Sequence, residues 1–251
     1  MAIEVEDIAA NPTTTLAARA AFKPTFFAKA KGAKAGELYI YNDIGGGFFG
    51  GISAQDVAES LKSLGQIETL DIYVNSPGGD VFEGIAIYNQ LKRLKATKNV
   101  YIDGLAASIA SVICMAGDKI CCASNAMMMI HNPYGMCMGT SEDMRATADV
   151  LDQVRDQLVD TYATRSGEDK AKISDWMNAE TWWKADDAKA CGFVDEVTDD
   201  TMDAQNMAFA LLAKFKKTPE PLAAKSRSSN VLIAKMNMSK NLRNALEKKA
   251  S

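Results

Sequence analysis

Strand-like and helix-like runs take turns between Gly36 and Asp118, and that order leaves few folds open. "GELYIYNDIG" alternates apolar and polar residues with period two, and "SAQDVAESLKSLG" follows as a helix with Ser53 as its N-cap. "TLDIYVNSPGG" is a second strand that ends in a turn. "DVFEGIAIYNQLKRLKA" is an amphipathic helix, with Val81, Ile85, Tyr88 and Leu91 at helical spacing. "KNVYIDG" is a third strand. "SIASVICMAGD" is a short helix, apolar nearly all round and so suited to the interior. The order strand, helix, strand, helix, strand predicts an α/β fold on a mainly parallel sheet.

The flanking segments are plainer. Residues 1 to about 36 read as an arm rich in Ala, Thr and Lys, and "GGGFFGG" reads as a loop. "KICCASNAMMMIHNP" supplies one or two more buried strands. Thr140 with Asp143 resembles a capping box, and Gly167 closes the long helix between them. Met144, Ala148, Leu151, Val154, Leu158 and Tyr162 form its apolar stripe. "AETWWKADDAKACGFVDEV" predicts a short helix and a final strand. Beyond Asp200 the composition shifts to Ala, Lys, Ser and Met, with a Pro/Ser-rich linker and a last amphipathic stretch. The resulting plan is an arm (1–36), one α/β domain (37–198) and a tail (199–251).

Charge is unevenly spread. The formal net charge is −4, yet Lys214 to Ser251 hold 10 Lys+Arg against 2 Asp+Glu, which leaves 18 basic and 30 acidic residues elsewhere. Such a tail can dock on an acidic body or partner, or stay solvated; nucleic acid is a weaker candidate. No apolar run approaches the roughly 20 residues that span a bilayer, and no basic start precedes an apolar h-region, so neither membrane nor secretion is expected. The five cysteines are odd in number and lack CxxC or His-paired spacing. Reduced thiols in a cytoplasmic setting are expected, with no metal. No phosphate-binding loop is present, so no nucleotide or other cofactor is expected.

Three places can carry chemistry. Ser108 stands at a strand-to-helix junction among small residues, in "GLAAS". There a serine can cap the helix, or it can act as a nucleophile beside N–H groups that stabilise an oxyanion. The single histidine, His131, ends the apolar run "MMMIHNP" before an Asn-Pro turn. It can pack there or serve as a base. "NSPGGD" ends the strand before the one that carries Ser108, and its Pro-Gly-Gly makes a tight turn. Backbone N–H groups of Gly79 and Ile109 could then form a two-donor oxyanion hole.

Together these residues resemble the Clp protease proteolytic subunit family. "NSPGGDVFEGIAIYNQLK", "GLAASIASVICMAGD", "MMMIHNPYG" and "AKACGFVDEV" occur in that family's order and approximate spacing, from about Leu38 to Val197. The loop "IGGGFFGGISAQDVAESL", the "NAETWW" segment, the arm and the tail look more like the related head maturation (prohead) proteases of tailed bacteriophages. The resemblance implies a ClpP/crotonase-like superhelix of strand–helix repeats with a protruding long helix, assembled into homo-oligomeric rings.

The resemblance also implies a serine peptidase with Ser108 as nucleophile, His131 as general base and Gly79 and Ile109 as oxyanion donors. The family's acid is an Asp at a fixed distance before the "G-[LF]-V-D" strand. Counting back from Asp195, that place holds Glu180, with Asp175 as the nearest alternative. The function placed first is an endopeptidase that trims capsid or scaffold proteins, and itself, during phage head maturation. The alternatives are a bacterial Clp-type subunit working with an unfoldase, a crotonase-fold acyl-CoA enzyme, and a non-enzymatic scaffold.

Overall fold

The computed structural model describes residues 26–32, 34–45, 51–199 and 215–219. In chain order its elements are β1 (Phe26–Ala30), β2 (Ala35–Ile40), α1 (Ala54–Leu64), β3 (Thr69–Ser76), α2 (Val81–Arg93), β4 (Thr97–Ala107) and α3 (Ile109–Cys114). Next come β5 (Lys119–Ala123), β6 (Met127–Ile130), α4 (Ser141–Ser166), α5 (Lys170–Asn178), β7 (Thr181–Lys184), α6 (Ala185–Ala190) and β8 (Glu196–Thr198). The mixed α/β architecture expected from the alternating periods is present.

The main sheet runs β1-β2-β3-β4-β5-β8, and β6 and β7 branch from β4. From β2 through β8 the pairings along this path are parallel, while β1 lies antiparallel on β2. Leu38, Ile40, Leu70, Ile72, Val74, Val100 and Ile102 are buried along the central strands. Each such side chain contributes about 1.5–3 kcal/mol of transfer free energy.

The branch decides where the site lies. Asn99–Ile102 of β4 pair with β5, but Leu105–Ala107 pair with β6. Between these halves β4 advances four residues while β3 advances two, from Val74↔Ile102 to Ser76↔Ala106. Irregularities of this kind bend a strand and re-aim the side chains beyond the bend. The bend turns the end of β4 onto β6, with Ala107 opposite Met129. Ser108 and His131 therefore leave the sheet side by side.

The helices obey their local signals. Ser53 and Asp56 form a reciprocal capping box on α1, and Thr140 and Asp143 form one on α4. Gly167 closes α4 in the left-handed conformation. The 26 residues of α4 make a rod about 39 Å long at 1.5 Å per residue. Val154, Leu158, Val159 and Tyr162 are buried, whereas Met144 is exposed, so its first turns project from the body. Gly84 lets α2 lie directly on α3: a Cβ there would fall 2.1 Å from Ile109 Cγ1.

Three features differ from the sequence reading. The arm contributes β1, whose five residues pair with β2. "TWWK" is a strand, β7, antiparallel to β6, where only a helix and a final strand were expected. The tail returns Phe215 to the body, where it is buried with Leu105, Ala107 and Met129. Residues 1–25, 33, 200–214 and 220–251 of the arm and tail, including the amphipathic stretch after Asn230, lie outside the described residues.

Candidate active site

Ser108 occupies the N-cap position of α3, but its side chain makes no capping hydrogen bond. Its Oγ lies instead 2.8 Å from Nε2 of His131. The backbone N–H of Ser108 donates to the Met129 carbonyl at 2.9 Å, which extends the β4–β6 pairing by one residue. Both side chains are half-buried, as a pair must be to stay positioned yet reachable.

Ser108 has φ 57° and Glu180 has φ 49°, the two non-glycine residues in positive φ among those described. Such conformations cost about 1–3 kcal/mol each and persist where the surroundings enforce them. Gly78 shows the enforcement at Ser108. A Cβ on Gly78 would fall 2.7 Å from the Ala107 carbonyl oxygen and 2.8 Å from Ser108 Cβ. The turn after β3 thus presses its bare backbone against the end of the strand that leads into Ser108.

Gly79 is held just as closely from the other side. Its missing Cβ would fall 2.0 Å from the Ile44 carbonyl oxygen. Ile44 N–H donates to Gly78 O, and Asp80 N–H donates to Ile44 O, each at 2.9 Å. Asp80 then caps α2 through Phe82 N–H and Glu83 N–H. Ile109 opens α3, where helical N–H groups find no partner within the helix. Gly79, Ser108, Ile109 and His131 line one cleft of about 380 Å³. Val150, Leu151 and Leu158 of α4 make its far wall largely apolar.

Glu180 precedes β7 on the other side of His131. Its Oε2 accepts from Lys216 N–H at 2.8 Å, and its Oε1 accepts from Lys217 N–H at 2.6 Å. Trp182 Nε1–H also donates to Oε1, at 3.3 Å. Phe215 meets the His131 imidazole edge to face, with centroids 5.2 Å apart, and lies 6.0 Å from the Trp182 ring. Asp175 is exposed on α5. The structure therefore brings Ser108, His131, Gly79 and Ile109 together, and places the Glu180 carboxylate on the returning tail.

Sequence reasoning misses three residues near the pair, Phe215, Ser111 and Tyr162. The Phe215 contact lies in a segment whose composition reads as linker. Ser111 and Tyr162 form a polar pair beneath Ser108, with Ser111 Oγ 2.8 Å from Tyr162 Oη. By sequence Tyr162 is only part of an apolar stripe. A buried tyrosine needs a partner for its hydroxyl, and that need is the signal the sequence offers. Among the described residues no His, Cys, Asp and Glu group could hold a metal ion, and no helix is long and apolar enough to cross a membrane.

A serine paired with a histidine at 2.8 Å, between a glycine turn and the start of a helix, fits the geometry of a serine-type hydrolase site. The Clp protease family model matches residues 49–201, well over half of the chain, and the chain belongs to that family of serine-type peptidases. It is 32% identical over 139 residues to the ATP-dependent Clp protease proteolytic subunit of Bacteroides fragilis, covering 55% of this chain and 67% of the relative. It is 33% identical over 148 residues to the subunit of the same name from Chlorella vulgaris, covering 58% of this chain and 74% of the relative. Identity to subunit 1 of Salinibacter ruber is 29% over 142 residues, and there the chain spans 61% of the relative's length. These relatives fit the Clp-subunit reading better than the phage head reading that the sequence placed first.

Proposed function

We propose that this chain is the proteolytic subunit of a Clp-type serine endopeptidase that cleaves unfolded polypeptides. The observation that carries the reading is the 2.8 Å contact between Ser108 Oγ and His131 Nε2, made by a serine that forgoes its helix cap. His131 takes the hydroxyl proton as Ser108 attacks the peptide carbonyl. Gly79 N–H and Ile109 N–H receive the oxyanion. His131 then protonates the leaving amine, and water completes hydrolysis of the acyl-enzyme. The largely apolar cleft wall from α4 suits an apolar side chain next to the scissile bond.

Glu180 is the proposed third member, by its position before "GFVD". Its carboxylate, which also accepts from Lys216 and Lys217 N–H, would steady the imidazolium. The projecting first turns of α4, with Met144 exposed, suit contacts between copies in a ring. The relatives are named ATP-dependent Clp protease subunits, so a partner ATPase would deliver substrates.

A fluorophosphonate probe tests the reading. It should label Ser108 and no other residue, and Ser108→Ala should abolish both labelling and hydrolysis of an unfolded protein without unfolding the chain. Removing a triad member costs several orders of magnitude in rate. Wild-type hydrolysis by the Ser108→Ala protein would sink it. An acyl-CoA enzyme on a related fold would not need the serine.

The phage head maturation reading stays as a second proposal, because the basic tail lies beyond the family match. It expects self-processing. Intact masses of wild type and Ser108→Ala should then diverge on long incubation, and equal masses would count against it.

A further inference from the structure

We infer that Ser111 and Tyr162 are positioning residues that aim the Ile109 N–H into the oxyanion hole by holding the Ser108 carbonyl. This rests on the reading of Ser108 as nucleophile and of Ile109 as oxyanion donor.

The physical basis is peptide planarity. The Ser108 carbonyl and the Ile109 N–H belong to one peptide unit, and in a trans unit they point in opposite directions. Whatever fixes the carbonyl therefore fixes the N–H. The described residues contain no cis peptide. The Ser108 carbonyl oxygen accepts from Ser111 N–H at 3.0 Å and from Ser111 Oγ at 2.6 Å. Two donors from one residue clamp it from the body side. The Ile109 N–H then points the opposite way, and Ile109 lines the cleft that Ser108 and His131 share.

The direction of the second bond is also determined. A serine hydroxyl has one hydrogen, and Ser111 spends it on the Ser108 carbonyl. Tyr162 must then be the donor to Ser111 Oγ across their 2.8 Å contact. Ser111 is wholly buried and Tyr162 is 1% exposed, so water cannot substitute for either. Burial pushes the Tyr162 phenol well above its ordinary range, although the Ser111 hydrogen bond works the other way, so the donor proton stays in place. The chain of bonds runs from α4 through α3 to the nucleophile's peptide.

The clamp is needed because Ser108 sits at φ 57° and ψ −132°. A short helix of six residues has little of its own to hold a strained first peptide. Rotation of that unit by a few tens of degrees would leave Ser108 Oγ near His131 while turning the N–H away. Binding of substrate would survive, and stabilisation of the transition state would suffer.

The test uses the full chain and a fluorogenic peptide that wild type hydrolyses. Ser111→Ala should lower kcat by roughly ten- to a hundredfold, below the 10²–10³ typical of losing a donor outright, with KM within about twofold of wild type. Tyr162→Phe keeps the ring and should lower kcat less. The double variant should be no worse than Ser111→Ala, since Tyr162 acts through Ser111. Ser111→Thr keeps the hydroxyl and should recover most of the rate. A peptide aldehyde, whose adduct places an oxyanion in the hole, should lose affinity in step with kcat.

A kcat within about twofold of wild type in Ser111→Ala would overturn the proposal. So would a loss that Ser111→Thr fails to relieve, or aldehyde affinity that stays constant. Should Ser111→Ala not fold, Tyr162→Phe alone decides, by the same split of kcat from KM. A wild-type protein that neither hydrolyses peptide nor takes a fluorophosphonate would instead refute the serine-peptidase reading on which this one stands.

Discussion

The ring of Phe215 stands edge to face against the His131 imidazole, with centroids 5.2 Å apart. The next two backbone N–H groups, of Lys216 and Lys217, bind the two carboxylate oxygens of Glu180. One short piece of the tail thus touches both the proposed base and the proposed acid. Phe215→Ala removes a side chain that is only 7% exposed and should loosen that piece. Fluorophosphonate labelling of Ser108 should then quicken severalfold. Unchanged or slower labelling would show that Phe215 supports the site rather than covers it.

Glu180→Gln separates the two uses of that carboxylate. As an orienting acid, Glu180 stabilises the imidazolium, and an amide cannot. Turnover should fall by a large factor, and the fall should persist in a Phe215→Ala background. Asp175→Asn, on an exposed turn of α5, should be nearly silent. If Glu180→Gln instead speeds labelling as Phe215→Ala does, the carboxylate is an anchor for the tail and the site works as a Ser–His dyad.

Alkylation should leave the site untouched. Only the thiolate is nucleophilic, and burial pushes the Cys122 thiol up to about 12 and Cys114 further still. Cys137 is exposed. Iodoacetamide at pH 8 should modify Cys137 first in native protein, and Cys114 and Cys122 only after denaturation. Peptide hydrolysis should survive modification of Cys137. Cys114 reacting as fast as Cys137 would contradict the buried placement of α3.

Glu37 gives the stability a defined acid limb. Burial alone would raise its carboxyl, but hydrogen bonds from Lys29 and Tyr39 and the charges of Lys29 and Lys31 outweigh that and lower it. Lys29 Nζ lies 2.7 Å from Oε2, and Tyr39 Oη donates to the same oxygen at 2.8 Å. A carboxyl lowered on folding contributes stability above its unfolded value, near 4.3 for glutamate. That contribution is lost as pH falls through the folded value. Because Lys29 is largely exposed, the effect should be on the order of 1 kcal/mol or less. Urea midpoints of wild type and Glu37→Gln should therefore lie further apart at pH 7 than at pH 3. An equal gap at both would remove Glu37 from the acid response.

The features legible along the chain are local. The Ser53 and Thr140 caps, the Gly167 stop, the Pro-Gly-Gly turn and the alternating periods each need only a few consecutive residues. They emerge as expected because their hydrogen bonds close within one turn. Ser108 and His131 are legible as candidates, since a serine among small residues and a lone histidine before Asn-Pro stand out by type and place.

The roles of these side chains are decided only where distant strands meet. By its local sequence Ser108 could cap α3. The bend in β4 and the pairing of Ala107 with Met129 give its hydroxyl a histidine instead. "TWWK" carries no helix stop or strand length of its own, and becomes β7 through its ladder with β6. Tyr162 reaches Ser111 across 51 positions of sequence, and Lys216 reaches Glu180 across 36. Periodicity and capping determine which segments are helix or strand, because their energies are local. Which polar atoms meet depends on how the sheet bends and what it buries, because an unpaired buried donor or acceptor is too costly to leave where local sequence alone would put it.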